Sequence, residues 1–538
     1  MKIKKTVVTT LVLCGLVVGC SEEKIDEKNN SQMDIWSAMD ARDAENPAFE
    51  DALLAENWLA LEMLGQVGGA GCEKLVPYIG SENTMARIAA QTGAAYCYGE
   101  AVTPALLAQL DVADEQFEKS KILTALSFSG DPAVTPVLIE SFDPENVASV
   151  YALMQKITYD RMEATALTSI SFDAVLAETS NSETGFANAY FLVRLQGIDQ
   201  IYTMDAVVEA VGAARDPAVK KLLVRLLPQF GDAVSSALLA LAKSEVGPAK
   251  IEAVRSLGRL SDPTSKAYLA SALNQPDGPL RQLAITALAR RDVEDTQITE
   301  VIAGAIASTD EAVASVALES LMQRSPAEGL KQAKVALWSS SYYLANKAMG
   351  QLAGVEEGRS ILAQYVAENS GTKRADDIRL ILDPEAGGGG AARPTPSADI
   401  RASYQDAKLK LHTTRGEITI TMLNEAAFAA TSFLQLAESG KMDGMLWHRV
   451  IPNFVAQAGQ IEDMSISDWG TIREEWFAAD HVIGTVGLAT VGKDTGSTQF
   501  FINTAYNLHL NGRYTVFGEV TEGLDVAMAL REGDIITK

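Results

Sequence analysis

The chain has 538 residues, of which 47% are hydrophobic and 21% charged, so it is too long for one compact core and too apolar to be mainly disordered. Its formal net charge is −25, with 45 Lys and Arg against 70 Asp and Glu. Because nucleic-acid phosphates require cationic side chains, this charge argues against a nucleic-acid partner, and it disfavours a basic lipid-binding surface. We therefore expect several domains or a repeat array that is exposed to water.

The N-terminal 20 residues have the order of a secretory signal. Three lysines and an apolar stretch over 7–18 precede Gly19-Cys20. The stretch is shorter than the ~20 residues that span a bilayer, so residues 1–19 are predicted to be a removable signal peptide. The segment 17–20 resembles a bacterial lipobox, which implies a lipoprotein acylated on Cys20. An ordinary signal peptide and an uncleaved anchor are the alternatives.

The segment over 20–34 is poor in apolar residues and is predicted to be a flexible tether. By the same resemblance, Ser21 after the cysteine implies a lipid anchor in the bacterial cell envelope, at the outer membrane and facing the periplasm. The acidic pair Glu22-Glu23 resembles the export signal of some surface lipoproteins, so surface exposure stays open as an alternative.

Two cysteines lie beyond the lipidation site, Cys72 and Cys97. In an oxidising envelope a disulfide between them is one prediction. Two buried thiols on successive helices are the other, because the sequence does not show whether the Cα atoms come within the ~7 Å limit for a bridge.

Residues 35–383 have the pattern of a helical repeat. Apolar residues recur at the i, i+3, i+4, i+7 spacing of helices, and pairs such as Asp216-Pro217 and Asp262-Pro263 punctuate them. A five-residue motif returns every 31 or 33 residues, starting at Phe191, Leu222, Ala253, Ala284, Ala317 and Ala348. A two-helix unit cannot bury its apolar face alone, so stacked units predict an α-solenoid.

This pattern resembles HEAT repeats of unusually short period, and tetratricopeptide-like packing is the alternative. An extended surface that binds protein clients and a rigid spacer are the two functions that such an architecture allows. The sequence of this region contains no histidine, nucleophile elbow, P-loop or metal-spaced cysteine set, so neither catalysis nor a metal is expected there.

A Gly/Pro linker over 384–399 separates the repeats from a domain over 400–538. In this domain, alternating apolar residues over 409–422 predict a β-hairpin, and helical spacing returns over 425–439. Many short strands and one early helix predict an all-β closed antiparallel barrel with helical plugs.

Four ordered blocks of this domain resemble cyclophilins. The first, Trp447-His-Arg-Val-Ile-Pro-Asn-Phe-Val-Ala-Gln-Ala-Gly459, is similar to the cyclophilin signature, and the blocks 485–489, 497–502 and 510–518 follow in the family order. The resemblance implies an eight-stranded closed barrel with two helices. It also implies peptidyl-prolyl cis–trans isomerase activity on proline-containing protein clients.

Prolyl isomerisation rotates an amide bond against a barrier of about 20 kcal/mol and changes no covalent bond, so it requires no cofactor or metal. The enzyme needs an apolar pocket for the proline ring and a group that favours the twisted amide. Arg449 offers fixed donors for that twisted state and matches the catalytic arginine of the family. A surface salt bridge is the structural alternative for this arginine.

The resemblance assigns the other site residues as well. It gives catalytic roles to Arg449, Phe454 and Gln457, and it implies that Gln457 and Gln499 hold the substrate backbone and orient the arginine. The predicted substrate-binding residues are Val455, Ala489, Thr490, Gln499, Phe501, His509, Leu510 and Tyr514.

Several of these positions depart from the family pattern. Val455 stands in place of the commoner Met, His509 in place of a frequent Trp, Tyr514 in place of a frequent His, and Thr490 in place of a usual Asn. None of these changes removes the set of arginine, phenylalanine and glutamine, so activity is predicted while its level stays open. His481 looks incidental.

Taken together, these patterns predict an envelope lipoprotein in which a solenoid binds or positions clients for a cyclophilin-type isomerase. The alternative is a non-catalytic scaffold whose barrel only grips proline-containing segments.

Overall fold

The computed structural model describes most of the chain beyond residue 33. The described residues are 34–39, 41–99, 101–291, 294–382, 404, 407–459, 469–475, 479–492 and 494–538. The predicted signal peptide, Cys20, the tether up to residue 33 and the linker over 384–399 lie outside them.

Helices make up the described chain between 34 and 382. In chain order they are α1 (34–39), α2 (Pro47–Leu54), α3 (Trp58–Val67), α4 (Ala70–Leu75), α5 (Thr84–Ala94), α6 (Thr103–Val112), α7 (Gln116–Ser127), α8 (Val134–Glu140), α9 (Val147–Asp160), α10 (Phe172–Glu178), α11 (Gly185–Leu192), α12 (Met204–Ala213), α13 (Pro217–Leu226), α14 (Ser235–Ser244), α15 (Pro248–Leu257), α16 (Pro263–Ala272), α17 (Gly278–Ala289), α18 (Thr296–Ala305), α19 (Glu311–Arg324), α20 (Pro326–Ala336), α21 (Tyr342–Ala353), α22 (Glu356–Glu368) and α23 (Lys373–Leu382).

Asp-Pro pairs begin helices, as the sequence predicts. The carboxylate of Asp216 accepts hydrogen bonds from the backbone N–H groups of Ala218 and Val219 at the start of α13, and Asp262 caps α16 in the same way. In both helices proline takes the first position, where a missing N–H costs no intrahelical bond. The prediction is confirmed at these two helix starts.

The helices form two layers. The odd-numbered helices from α3 to α21 pack against one another in series and are called the contact layer; the even-numbered helices from α4 to α22 each pack on a neighbour in that layer and form the outer layer. The first residue of every repeated motif lies on a contact-layer helix and is buried: Phe191, Leu222, Ala253, Ala284, Ala317 and Ala348. The predicted helical repeat is therefore confirmed: the first five of these positions share one core, and Ala348 lies in the neighbouring core of the last helices.

One helical stretch of the described chain, Pro217–Ser244, is long and apolar enough to cross a membrane by length and composition alone. It joins α13 to α14 through a segment in which Gly231 has a non-helical backbone with φ of 64°. Leu222, Val224 and Leu238 of this stretch are buried in the helical core. In this fold it therefore consists of two packed repeat helices.

Cys72 on α4 and Cys97 at the end of a short 3₁₀ turn (Ala95–Cys97) are joined by a disulfide, with their Cα atoms 5.8 Å apart. Of the two alternatives for these cysteines, the structure has the bridge, which ties α4 to the turn that follows α5.

The described part of the C-terminal domain contains one antiparallel sheet accompanied by two helices of six residues or more. The strands are β1 (Lys408–Thr413), β2 (Gly416–Met422), β3 (Arg449–Ile451), β4 (Val455–Ala458), β5 (Thr485–Leu488), β6 (Phe500–Asn503) and β7 (Val516–Glu522), and the helices are α24 (Ala427–Glu438) and α25 (Leu524–Ala529). Hydrogen-bonded neighbours follow the order β1-β2-β7-β5-β6-β4-β3.

Aromatic rings fill the centre of this domain. Phe433 of α24 stacks on Phe517 with ring centroids 4.4 Å apart and meets the edge of Phe500 at 5.5 Å. Trp447, which is fully buried, packs on the other side of Phe500 at 5.6 Å. The helix is thereby fixed against β6 and β7, the strands next to the predicted site.

The expected closed, eight-stranded barrel is wrong for the part of the domain that the structure describes. The sheet has seven strands and is open, with β1 and β3 as its edges. The C-terminal segment makes isolated bridges from Ile536 to Thr413, at the end of β1, and from Ile535 to Leu446, which precedes β3. Because these bridges do not extend into a strand of the sheet, the sheet remains a half-barrel.

The C-terminal domain packs on the contact layer through apolar side chains. Tyr506 lies against Phe186 of α11 with ring centroids 4.6 Å apart. Leu508 belongs to the same apolar cluster as the helical core, although it follows β6 in the chain. The domain therefore shares part of its apolar interior with the repeats.

Polar contacts fix the other end of the domain. Arg531 donates to the carboxylate of Asp310, the N-cap of α19, at 2.8 Å. Tyr343 of α21 donates to Glu532 at 3.0 Å. The contact layer from α11 to α21 thus forms a platform for the domain that carries the predicted site.

Candidate active site

Neighbouring strands align the central residues of the predicted site. Arg449 of β3 is opposite Gln457 of β4, Gln457 is opposite Phe501 of β6, and Phe501 is opposite Gly487 of β5. Residues that are directly opposed on neighbouring strands project from the same face of a sheet. The fold therefore places the arginine, the glutamine and the phenylalanine in one row.

A small apolar cluster, separate from the core of the domain, surrounds Phe501. Its buried members are Val455, Phe501 and Leu510, and its partly buried members are Phe454, Ala489 and Tyr514. These are six of the residues that the sequence assigns to the proline pocket and its walls. A lining of this kind favours an apolar ring over water.

The glycine at the end of the row leaves room for the Phe501 ring. A Cβ atom on Gly487 would lie 2.3 Å from Cζ of Phe501, far inside van der Waals contact. Only a residue without a side chain allows the tip of the ring to approach β5 this closely. The sequence analysis does not single out this glycine.

Arg449 is exposed and is oriented by a chain of side-chain amides. Its Nη1 donates to Oε1 of Gln457 at 3.1 Å, and Nε2 of Gln457 donates to Oε1 of Gln499 at 2.9 Å. The guanidinium carbon lies 5.7 Å from the centre of the Phe454 ring. The cation is therefore held at the rim of the apolar pocket, on the side that solvent and a bound peptide can reach.

Behind the pocket lies His481, which the sequence analysis treats as incidental. Its ring is fully buried and stacks on Phe501 with centroids 5.6 Å apart. The amide Nδ2 of Asn503 donates to Nδ1 at 3.1 Å, so the imidazole proton is on Nε2, which donates to the Tyr514 carbonyl at 3.2 Å. Burial lowers the pKa of His481 to about 4. A neutral ring thus supports both Phe501 and Tyr514.

The pocket rim continues onto the helical repeats. His509 stacks on Phe454 with centroids 5.8 Å apart, and its Nδ1 lies 2.8 Å from the hydroxyl of Tyr190 on α11. Because Arg194 donates to that same hydroxyl at 2.7 Å, Tyr190 donates its own proton to His509. Burial, together with the charge of Arg194, lowers the pKa of His509 to about 3, so this ring is neutral as well.

The loop before Phe454 is also held by the repeats. Lys221 of α13 donates to the carbonyl of Asn453 at 3.2 Å, and Arg255 of α15 donates to the carbonyl of Pro452 at 2.7 Å. The side chain of Asn453 in turn donates to the carbonyl of Pro248 at 3.1 Å. No local sequence signal points to these contacts, since they join segments about 200 residues apart in the chain, such as Arg255 and Pro452.

Ala489 and Thr490, two residues predicted to line the peptide groove, directly follow β5. Ala489 packs on the apolar cluster, and its N–H donates to the carbonyl of Gln499 at 3.0 Å. The hydroxyl of Thr490 donates to Glu474 at 3.2 Å, so this side chain is directed to its own domain.

Comparison with known proteins places these features in a family. Residues 408–537 match the family described as cyclophilin type peptidyl-prolyl cis-trans isomerase/CLD, and residues 204–289 match the HEAT repeats. Peptidyl-prolyl cis-trans isomerase B of Bacillus subtilis is 43% identical over 108 residues, which are 20% of this chain and 76% of that protein. A peptidyl-prolyl cis-trans isomerase of Synechococcus elongatus is 36% identical over 130 residues, which are 23% of this chain and 90% of that protein.

Among solved structures, a cyclophilin from Hirschia baltica matches 27% of this chain and 80% of its own chain at 19% identity, with a TM-score of 0.24. The pocket and the sequence matches define the C-terminal domain as a prolyl isomerase domain. The chain belongs to the cyclophilin-type peptidyl-prolyl cis–trans isomerase family, and HEAT repeats precede its isomerase domain.

Proposed function

We propose that Arg449 is the catalytic residue and that it acts on an X–Pro bond whose ring occupies the pocket of Val455, Phe501 and Leu510. The observation that supports this role is the alignment of Arg449, Gln457 and Phe501 across neighbouring strands. The pocket holds the ring still while the acyl part of the amide rotates.

The chemistry requires no change of covalent bonds. As the amide twists, conjugation is lost and the prolyl nitrogen regains a lone pair, which can accept a hydrogen bond. Arg449 supplies a donor whose position is already fixed through Gln457 and Gln499, so little reorganisation is needed in the twisted state. Removal of one such preorganised donor typically lowers turnover by about 10²-fold.

Exchange NMR on the whole chain tests this role. We expect Arg449→Ala to lower kcat/KM for a model Ala-Pro peptide by about 100-fold, and Arg449→Lys to recover only part of it, because lysine lacks the planar fork. Lys408→Ala is the matched control, since this exposed cation on β1 lies outside the pocket. Equal exchange broadening by the wild type and Arg449→Ala would remove the catalytic assignment.

Binding of peptide without any accelerated exchange would instead support the scaffold alternative. In that outcome the chemical shifts of the pocket residues move on addition of peptide, while the cis and trans signals of the peptide stay sharp.

We further propose that the repeats hold proline-containing clients close to the pocket, in the bacterial envelope, with the chain anchored through a lipid on Cys20. A platform adjacent to the active site raises the local concentration of a bound client. The order of the N-terminal residues supports the anchor, and Ser21 after the cysteine supports a position at the outer membrane that faces the periplasm. Incorporation of a labelled fatty acid that is abolished in Cys20→Ser tests the anchor, and unchanged labelling would contradict it.

A further inference from the structure

Five cationic side chains of the repeats contact the rim of the proline pocket or lie within electrostatic range of those that do. This basic strip consists of Arg194, Lys221, Arg225, Arg255 and Arg259. The helices that carry or immediately precede them, α11, α13 and α15, pack in series in the contact layer. Arg194 and Arg225 occupy the same position of the repeated motif, 31 residues apart, so they form a ladder across neighbouring helices.

The strip adjoins the rim that contains Phe454. Arg194 is joined to His509 through the hydroxyl of Tyr190, and His509 stacks on Phe454. Lys221 and Arg255 donate to the two carbonyls that directly precede Phe454 in the chain. A peptide that leaves the pocket across this rim therefore passes onto the strip.

Most of the strip's charge has no anionic partner. Arg255 pairs with the buried carboxylate of Glu252 at 2.8 Å. Arg225 and Arg259 are exposed, and their side chains make no hydrogen bond or ion pair with any residue that the structure describes. Nε of Arg194 is buried and likewise lacks a hydrogen-bond partner within the described chain.

The cations also affect one another. Burial is the main cause that lowers the pKa of Lys221 to about 8, and the charges of Arg255 and Arg225 lower it further against the opposing effect of Glu252. Burial and the charge of Arg225 lower the pKa of Arg259 as well. In a chain of net charge −25, the strip is a local excess of positive charge, in which the carboxylate of Glu252 offsets part of the charge of five cations.

We propose that the basic strip binds acidic side chains of the client while the client's proline occupies the pocket, so that the isomerase prefers proline segments flanked by Asp or Glu. This inference rests on the proposed function. An extended peptide advances about 3.3 Å per residue and packed helices are spaced about 8–10 Å apart, so acidic residues that pair with Arg194 and Arg225 at the same time would be about three positions apart in the client.

The test compares matched peptides on the full chain. Three peptides share a central Ala-Pro and carry the same residue four positions before the proline and four positions after it. This residue is Glu in the first peptide, Gln in the second and Lys in the third. Exchange NMR gives kcat/KM for each peptide at low and at high salt. We expect the Glu peptide to exceed the Gln peptide about fivefold at low salt, the Lys peptide to fall below both, and the difference to shrink at 1 M salt, where the screening length is about 3 Å.

Variants locate the preference. Arg225→Gln combined with Arg259→Gln is expected to bring the Glu-to-Gln ratio close to one. Lys243→Gln, which removes one cation at the end of α14 in the outer layer, is expected to keep the wild-type ratio. The ratio is the readout because a general loss of folding lowers the rates for both peptides alike.

The outcomes separate this inference from the isomerase assignment. A wild-type ratio of one with rapid exchange of the Gln peptide would overturn the acidic preference and leave the isomerase intact. A ratio that persists in the double variant would overturn the role of the strip. Absence of accelerated exchange for every peptide would instead contradict the proposed function itself.

Discussion

At the scale of single residues, burial sets the protonation of the histidines around the pocket. Burial lowers the pKa of His448 and His481 to about 4 and that of His509 to about 3. All three rings are therefore neutral at pH 7, and two of them, His481 and His509, contact aromatic residues of the site. Their neutral state is part of what keeps the pocket apolar.

The protonation of His481 predicts a loss of stability in acid. An unfolded histidine titrates near pH 6.5, so between pH 6.5 and 4 the unfolded chain binds a proton that the folded chain excludes. The contribution of neutral His481 to the free energy of unfolding is thus complete above pH 6.5 and falls as the pH is lowered, by up to about 3 kcal/mol. Urea denaturation at pH 7, 5.5 and 4.5 should show a smaller loss in His481→Gln than in the wild type.

Glutamine does not titrate in this pH range, so the comparison isolates the buried ring of His481. A pH dependence that is the same in His481→Gln and in the wild type would show that this buried ring does not contribute.

Single residues also mark where sequence interpretation succeeds and where it ends. Arg449, Gln457 and Phe501 could be assigned because their short motifs have a fixed spacing around β3, β4 and β6. The stacking of His481 on Phe501 could not be predicted, because this contact depends on the packing of a loop rather than on a sequence motif. Tyr190 and His509 are 319 residues apart in the chain, and no local periodicity connects them.

At the scale of secondary-structure elements, the sequence predicts the helical repeats correctly but does not predict whether the β-sheet closes into a barrel. The Asp caps and the buried motif positions recur with each repeat, so the two-layer helical stack follows from the sequence. Closure of the sheet depends on whether the last residues pair over a sufficient length. Ile535 and Ile536 form only isolated bridges, to Leu446 and to Thr413, and the sheet stays open between β1 and β3.

The contact between β5 and β6 predicts the effect of one added methyl group. In Gly487→Ala the new Cβ would lie 2.3 Å from the Phe501 ring, so the ring must move away from the pocket floor. We expect a loss of about 1–3 kcal/mol in the free energy of unfolding together with a marked fall in kcat/KM. Thermal unfolding and exchange NMR on the same preparation measure both effects.

Gly492→Ala is the matched control, because a Cβ at that position meets nothing within 4 Å. If Gly487→Ala retained wild-type stability and turnover, Phe501 would have more room than its packing against β5 indicates.

At the scale of the whole molecule, the isomerase domain and the repeats are parts of one structure. Arg531 donates to both Asp310 and Gln282, and its side chain is only 19% exposed. We expect Arg531→Ala to weaken docking of the domain, because the lost hydrogen bond to a charged group is worth about 1.5–3 kcal/mol. If the domain docks as a unit, amide hydrogen exchange over 505–512 should become about 10-fold faster or more.

Lys408→Ala is the control, because it also removes one positive charge from the domain and Lys408 lies on β1, away from the contacts with the repeats described above. It should leave the hydrogen exchange over 505–512 unchanged. Equal protection of 505–512 in Arg531→Ala and the wild type would mean that the polar end of the interface does not determine docking.

The position of Leu508 has a consequence for the order in which the molecule is made. This side chain is 5% exposed within the apolar cluster of the helices, yet it follows β6 in the chain. Because a ribosome synthesises from the N-terminus, the helices emerge before Leu508 does. The apolar cluster of the nascent repeats therefore lacks this side chain until the segment after β6 has been made.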